Sequence, residues 1–224
     1  MVQEHYNYKL NRTLEGPAEK QEDYIMGQII ISVGREFGSG GRVIAEALAE
    51  RFNIPIYDRH LITDIAEKTG LTPEEIEKYN ENPKHRIWSR SVRGYSNSIE
   101  DNIAEMQFKI IDDKAKSGES FVVVGRCSET KLRKYDGLCS LFILADMDAK
   151  IKRVMELYEL DEEGAKEFIT KKDKKRKRYH NYHCTGSWGD SRLYDLSINS
   201  TRLGIEGTVD FLEKYIRARM EKNA

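Results

Sequence analysis

The stretch Ile29-Ile30-Ile31-Ser32-Val33-Gly34-Arg35-Glu36-Phe37-Gly38-Ser39-Gly40-Gly41-Arg42-Val43-Ile44-Ala45 holds the residues best suited to chemistry. An apolar, β-branched run passes into a glycine-rich loop, and the loop opens a helix whose apolar positions Val43, Ile44, Ala47 and Leu48 recur three and four residues apart. Four glycines among residues 34–41 let backbone N–H groups turn toward an anion, and the helix N-terminus adds its partial positive charge at the same spot. This is the layout of a phosphate-binding loop, with Arg35, Gly38, Ser39, Gly40, Gly41 and Arg42 as candidate contacts.

The fit to the Walker A pattern GxxxxGK[ST] is incomplete where the chemistry would lie. With Gly38-Ser39-Gly40 on the usual glycine positions, Gly41 stands in the lysine place. Sliding the pattern by one residue puts Arg42 there but leaves Glu36 for the first glycine. In either register the magnesium-binding hydroxyl is replaced, by Arg42 or by Val43. A glycine-rich turn without a ligand is the plain alternative.

Other residues suit the same chemistry. Asp58 ends the short strand Ile54-Pro55-Ile56-Tyr57, where ligands of parallel sheets collect, and it could equally cap the helix that follows. Arg126 directly follows the apolar strand Phe121-Val122-Val123-Val124; its planar fork suits a phosphate, the alternative being an ion pair with Glu129. Residues 82–97 interleave Arg86, Arg90 and Arg93 with Trp88 and Tyr95, as a nucleotide grip or as a solvated loop. Residues 171–178 carry seven cations in eight positions, either a solvated helix face or a lid that brings Arg176 and Arg178 over a phosphoryl group. At helical spacing those two arginines need not share a face, so at most one contacts the transferred group.

These residues need elements to position them. The chain has 224 residues and a formal net charge of -1, so no global field points to nucleic acid or to a membrane surface. No apolar run approaches the roughly 20 residues that span a bilayer. Cys127, Cys139 and Cys184 lack the spacing of a zinc site, and a reducing, cytoplasmic setting is expected. Residues 1–27 read as a polar leader, with Met26 an alternative translation start. Strands are expected at about 28–33, 54–57, 120–124, 140–145 and 194–199, with helices between them. Such crossovers make an α/β parallel sheet with helices on both faces. The expected organisation is one domain over 28–224, with an insertion at about 59–115 and a lid at about 170–190. A monomer or homodimer is expected.

The chain resembles the cytidylate kinase-like family, a branch of the nucleoside monophosphate kinases with the P-loop fold. The resemblance rests on residues 32–42, on Ile56-Tyr57-Asp58, on Val124-Gly125-Arg126, on the Arg/Lys-rich segment to Tyr182 and on Ile198-Asn199-Ser200. It implies a five-stranded parallel sheet in the order 2-3-1-4-5, a nucleoside triphosphate over the loop, and a lid from the basic segment. It also implies an acceptor nucleotide between Asp58, the 82–97 region with Arg93, and Arg126. ATP and Mg²⁺ are the implied cofactors, with Asp58 helping to organise the metal. Cytidylate kinases carry Gly-Pro-Ser-Gly-Ser-Gly-Lys-Gly-Thr in the loop and Gly-Arg-Asp where this chain has Gly125-Arg126-Cys127. Two readings follow: a kinase acting on CMP, dCMP or a related acceptor, with Arg42, Arg176 and Arg178 as catalytic cations, or a nucleotide-binding pseudo-kinase that senses or binds a partner. Nucleic-acid binding by the 171–178 block is a third, opposed by the net charge.

Overall fold

The structure, a computed structural model, describes residues 27–58, 91–92, 95–96 and 99–223. Strand β1 (Ile30–Arg35) leads through the loop into α1 (Gly41–Phe52) and β2 (Ile56–Tyr57). A short antiparallel pair, β3 (Ser91–Val92) and β4 (Tyr95–Ser96), lies where the sequence suggested irregular chain. There follow α2 (Ile99–Lys116), β5 (Phe121–Val124), α3 (Ser128–Lys131), β6 (Leu138–Leu144), α4 (Met147–Tyr158), α5 (Glu162–His183), a 3-10 turn at Ser191–Leu193, β7 (Leu196–Asn199) and α6 (Gly204–Asn223). The insertion expected at 59–115 falls mostly outside the described residues, as do Arg93, the leader and Met26.

The main sheet is parallel throughout and ordered β2-β5-β1-β6-β7, which counted over its own five strands is 2-3-1-4-5. β1 sits at the centre, its Ile31 level with Val122 of β5 on one side and with Cys139 of β6 on the other. Side chains alternate across the pleat. Ile31 and Val33 of β1, Val122 and Val124 of β5, and Leu141 and Ile143 of β6 pack on one face against Ile44 and Leu48 of α1 and Val209, Leu212 and Ile216 of α6. Ile30, Phe121 and Val123 face the other way, onto Ile103, Ile110 and Ile111 of α2. Complete burial of such side chains contributes about 1.5–3 kcal/mol each. Burial on both faces explains why β5 reads as an unbroken apolar run and β1 and β6 as nearly continuous ones, interrupted at Ser32 and Ser140, rather than as alternating strands.

Helix α5 begins where an acid can cap it, the Asp161 carboxylate accepting from Gly164 N at 2.8 Å. It then runs unbroken through the basic block. Its inward stripe is Ala165, Ile169, Asp173, Arg176 and His180, spaced three or four apart, so residues 170–183 of the expected lid lie in a continuous helix docked on the body. Among the described residues no helix is long and apolar enough to cross a membrane.

Candidate active site

The loop between β1 and α1 lies at the carboxyl end of the central strand. Gly38 (φ 80°) and Gly40 (φ 77°) take left-handed conformations that a side chain would disfavour. The outward-facing groups of the loop are tied down. Ser39 Oγ donates to Glu36 O at 2.9 Å, Arg153 Nη1 of α4 donates to Gly38 O at 2.6 Å, and Ser200 Oγ after β7 donates to Ser39 O at 2.7 Å. Phe37 wedges between α4 and α5, its ring edge-on to Phe168 at 5.4 Å, while its N–H donates to Asp173 Oδ1 of α5 at 2.6 Å. Buried Lys150 of α4 joins Glu36 (3.1 Å) to Asp173 (3.5 Å). Three carbonyls of the loop are thus consumed by neighbours, while Gly40, at the N-cap of α1, has no side chain to cap it. Gly41 N, the first amide of α1, donates to Ser39 Oγ at 3.3 Å, and the rest of this helix N-terminus, on a loop whose acceptors are occupied, suits an anion.

Cations gather beside it. Arg35 ends β1, and its Nε is buried with no hydrogen-bond partner. Burial, reinforced by Arg176 and opposed by Asp58, lowers its pKa to about 9, with Arg126 and Arg42 adding further repulsion. Arg176 reaches in from α5, donating to the Arg35 carbonyl at 3.1 Å and lying over the Phe37 ring at 5.2 Å. Burial lowers its pKa as well, against the attraction of Asp173 and Asp58. Arg42 sits on the rim, half-exposed, pairing with Glu46 at 2.9 Å and with Asp58 at 3.5 Å.

The β5–α3 connection forms the opposite wall. Gly125, Arg126 and Cys127 all have positive φ (75°, 60° and 53°), a left-handed run in which the last two are not glycine. Such conformations cost of order 1 kcal/mol each and persist where surrounding contacts enforce them. Arg126 Nη1 donates to the buried Gln107 Oε1 of α2 at 3.0 Å. Glu129 turns away from Arg126 and pairs with His180 of α5 at 2.8 Å, both buried. The expected Arg126–Glu129 alternative is therefore not formed. Burial opposes the imidazolium, but hydrogen bonds with Cys184 and Glu129 outweigh it and raise His180 to about 10. This pair roots the end of α5 on the loop that carries Arg126.

A cavity of about 540 Å³ lined by Arg133, Leu138, Arg192, Asp195 and Arg219 adjoins the amino end of β6. Open parallel sheets bind ligands at the carboxyl ends of their strands, which favours the loop as the site.

A sequence profile of the cytidylate kinase-like family matches residues 30–202. The chain belongs to the cytidylate kinase-like family. It is 25% identical over 197 residues to a cytidylate kinase of Methanocaldococcus jannaschii, covering 84% of this chain and 97% of that one, and 25% identical over 193 residues to a cytidylate kinase of Methanococcus vannielii, covering 84% and 100%. A solved structure of an uncharacterized protein from Eubacterium ventriosum shares 39% identity and a TM-score of 0.68, over 85% of this chain and 99% of that one. A shikimate kinase from Bacteroides thetaiotaomicron, at 16% identity and a TM-score of 0.52 over 84% of this chain and 98% of that one, shares the fold.

Of the residues singled out in sequence, this member of the cytidylate kinase-like family brings Arg35, Gly38, Ser39, Gly40, Gly41, Asp58, Arg126 and Arg176 to the loop end of the sheet. Arg178 is exposed on α5, away from the inward stripe, and Arg42 is held by two carboxylates at the rim. Asp58 lies among guanidinium groups rather than open to a metal. Glu36 and Asp173 are likewise occupied, by Lys150 and by Phe37 N. The carboxylates described around the loop thus fit a directly bound Mg²⁺ poorly. Sequence reading gave no role to Glu36, Lys150, Arg153, Asp173 or Ser200, which hold the loop. Asp173 had one signal, as the lone acid inside the cationic run.

Proposed function

We propose that this protein transfers the terminal phosphoryl group of ATP to a small acceptor, a nucleoside monophosphate of which CMP and dCMP are the first to test. The observation that carries the reading is the convergence of Arg35, Arg126 and Arg176, from three separate elements, on the glycine-rich loop that opens α1. Phosphoryl transfer asks a protein mainly to position two oxygens in line and to neutralise the charge that spreads over the transferred group. The loop amides hold the triphosphate, Arg176 neutralises the group in flight from the docked helix, and Arg126 holds the acceptor's phosphate. Asp58 orients Arg42 and balances the cluster. Mg²⁺ carried by the nucleotide's own phosphates would supply further neutralisation. The cytidylate kinases among its relatives support the choice of acceptor.

A second reading, nucleotide binding without turnover, is favoured by the lack of a hydroxyl at positions 42 and 43. A coupled ADP-release assay across nucleoside monophosphates, run beside calorimetric titration with ATP and Mg²⁺, separates them. Turnover with a cytidine nucleotide supports the kinase; ATP binding with no turnover for any acceptor supports the second reading.

A further inference from the structure

In the register that places Gly38-Ser39-Gly40 on the Walker A glycines, the lysine position is Gly41 and the first glycine, six residues upstream, is Arg35. Both positions are altered, and they are altered reciprocally: glycine has become a cation and the cation has become glycine.

The structure shows that the two changes depend on each other. A Cβ placed on Gly41 would lie 2.6 Å from Arg35 Cβ, 3.2 Å from its Cγ and 3.1 Å from Ile143 Cβ. The Arg35 stem therefore crosses the first residue of α1 in space that any side chain at 41 would occupy. Its far end reaches the other wall, where a Cβ on Gly125 would collide with Nη1. The side chain runs in a slot between the helix N-terminus and the Arg126 loop, floored by glycine at both ends. Within the slot Nε is buried without an acceptor; Arg176, Arg126 and Arg42 repel the guanidinium, and Asp58 attracts it. A buried donor left unpaired among like charges is costly in the empty protein, and an anionic oxygen relieves both costs at once.

We infer that Arg35 supplies, from the end of β1, the charge that a lysine at position 41 supplies in the Walker A pattern, and that its guanidinium binds phosphate oxygens of the nucleoside triphosphate. This rests on the kinase reading for the identity of the ligand. The guanidinium can hold two oxygens through parallel N–H bonds, whereas the ammonium it replaces acts as a point charge.

The test measures binding and stability separately from turnover, in the full chain, by titration with Mg·ATP and with inorganic tripolyphosphate and by thermal unfolding. Arg35→Met keeps an apolar stem across Gly41 and removes the charge. It should weaken both ligands by about 10–100-fold, the worth of one or two charge-assisted hydrogen bonds. It should also leave the ligand-free protein at least as stable as the wild type, because a desolvated, repelled cation is gone. The double variant R35G/G41K returns glycine and lysine to the two exchanged positions, with Arg42 still in place of the pattern's hydroxyl, and should regain part of the lost affinity, while Gly41→Lys alone should not fold or bind normally.

Unchanged affinity for both ligands in Arg35→Met overturns the inference and leaves the kinase reading standing. Reduced affinity together with a clear loss of stability, unrescued by the double variant, assigns Arg35 a structural role and also overturns it. Arg35-dependent binding of tripolyphosphate without binding of any nucleoside triphosphate keeps the anion site and overturns the kinase reading. Binding of neither ligand by the wild type overturns both.

Discussion

Arg176 Nη1 donates to the carbonyl oxygen of Arg35 at 3.1 Å, so the basic helix α5 is bonded to the last residue of the central strand β1. The basic block is therefore not a uniform charged surface. One turn of it faces the loop, through Asp173 on Phe37 N and Arg176 on the Arg35 carbonyl. Two substitutions separate these roles.

If Arg176 neutralises the transferred group, Arg176→Ala should lower kcat by about 100-fold or more, the scale seen when a preorganised donor to a developing charge is removed. Arg178→Ala, two residues on and exposed, should leave kcat within about threefold, since a lone exposed cation interacts weakly through solvent. Steady-state rates of ADP release check both. Equal losses would return the block to a nonspecific electrostatic role.

Asp173 holds the loop to the helix by accepting from Phe37 N at 2.6 Å and by facing buried Lys150 at 3.5 Å. Asp173→Ala leaves an amide without its partner and weakens the compensation of a buried ammonium, so it should cost about 1–3 kcal/mol. Urea unfolding would measure this, and the KM for ATP should rise in parallel because the loop loses its anchor. A stability equal to that of the wild type would show that the helix does not fix the loop.

The His180–Glu129 pair makes a pH-dependent contribution. The folded pKa of His180, about 10, lies above its ordinary 6.5, so the folded state binds the proton more tightly than the unfolded one. The stability from this group is fully present below about pH 6.5 and is lost as pH rises through about 10. The stability difference between the wild type and His180→Gln should shrink across that window in denaturant titrations at fixed ionic strength. A difference independent of pH would mean that His180 is not charged in the fold.

Much of this architecture was legible because it is local. The β1–loop–α1 unit follows from an apolar run, four glycines and a helical period, and the helix boundaries 41–52 follow from the same pattern. What was not legible depends on packing between distant segments. Lys150, Arg153 and Ser200 lie more than a hundred residues from the loop they hold; nothing beside Lys150 or Arg153 marks them, and the Ile198-Asn199-Ser200 motif marks Ser200 without giving it a role. The choice between Arg35 and Arg42 for the missing lysine also needed three dimensions, because order along the chain, which puts Arg42 directly after Gly41 and Arg35 three residues before Gly38, does not say which side chain is buried beside the loop. Only the fold shows Arg42 paired with two carboxylates and Arg35 buried with a free donor.

Arg126 sits on a strained left-handed run and is steadied by Gln107 at 3.0 Å. Arg126→Ala should raise the acceptor KM by about 10–100-fold with a smaller effect on the KM for ATP, the pattern expected when a charged contact to one substrate is lost. Initial rates with each substrate varied in turn would show it. An unchanged acceptor KM would remove Arg126 from the acceptor site.

The central claim is transfer of a phosphoryl group, and following the label from γ-³²P-labelled ATP tests it most directly. Purified full-length protein, incubated with labelled ATP, Mg²⁺ and each nucleoside monophosphate in turn, should yield a labelled diphosphate with a cytidine nucleotide, strongly reduced in Arg176→Ala. ATP bound by the protein, with the label passing to no acceptor in the panel, would contradict the account.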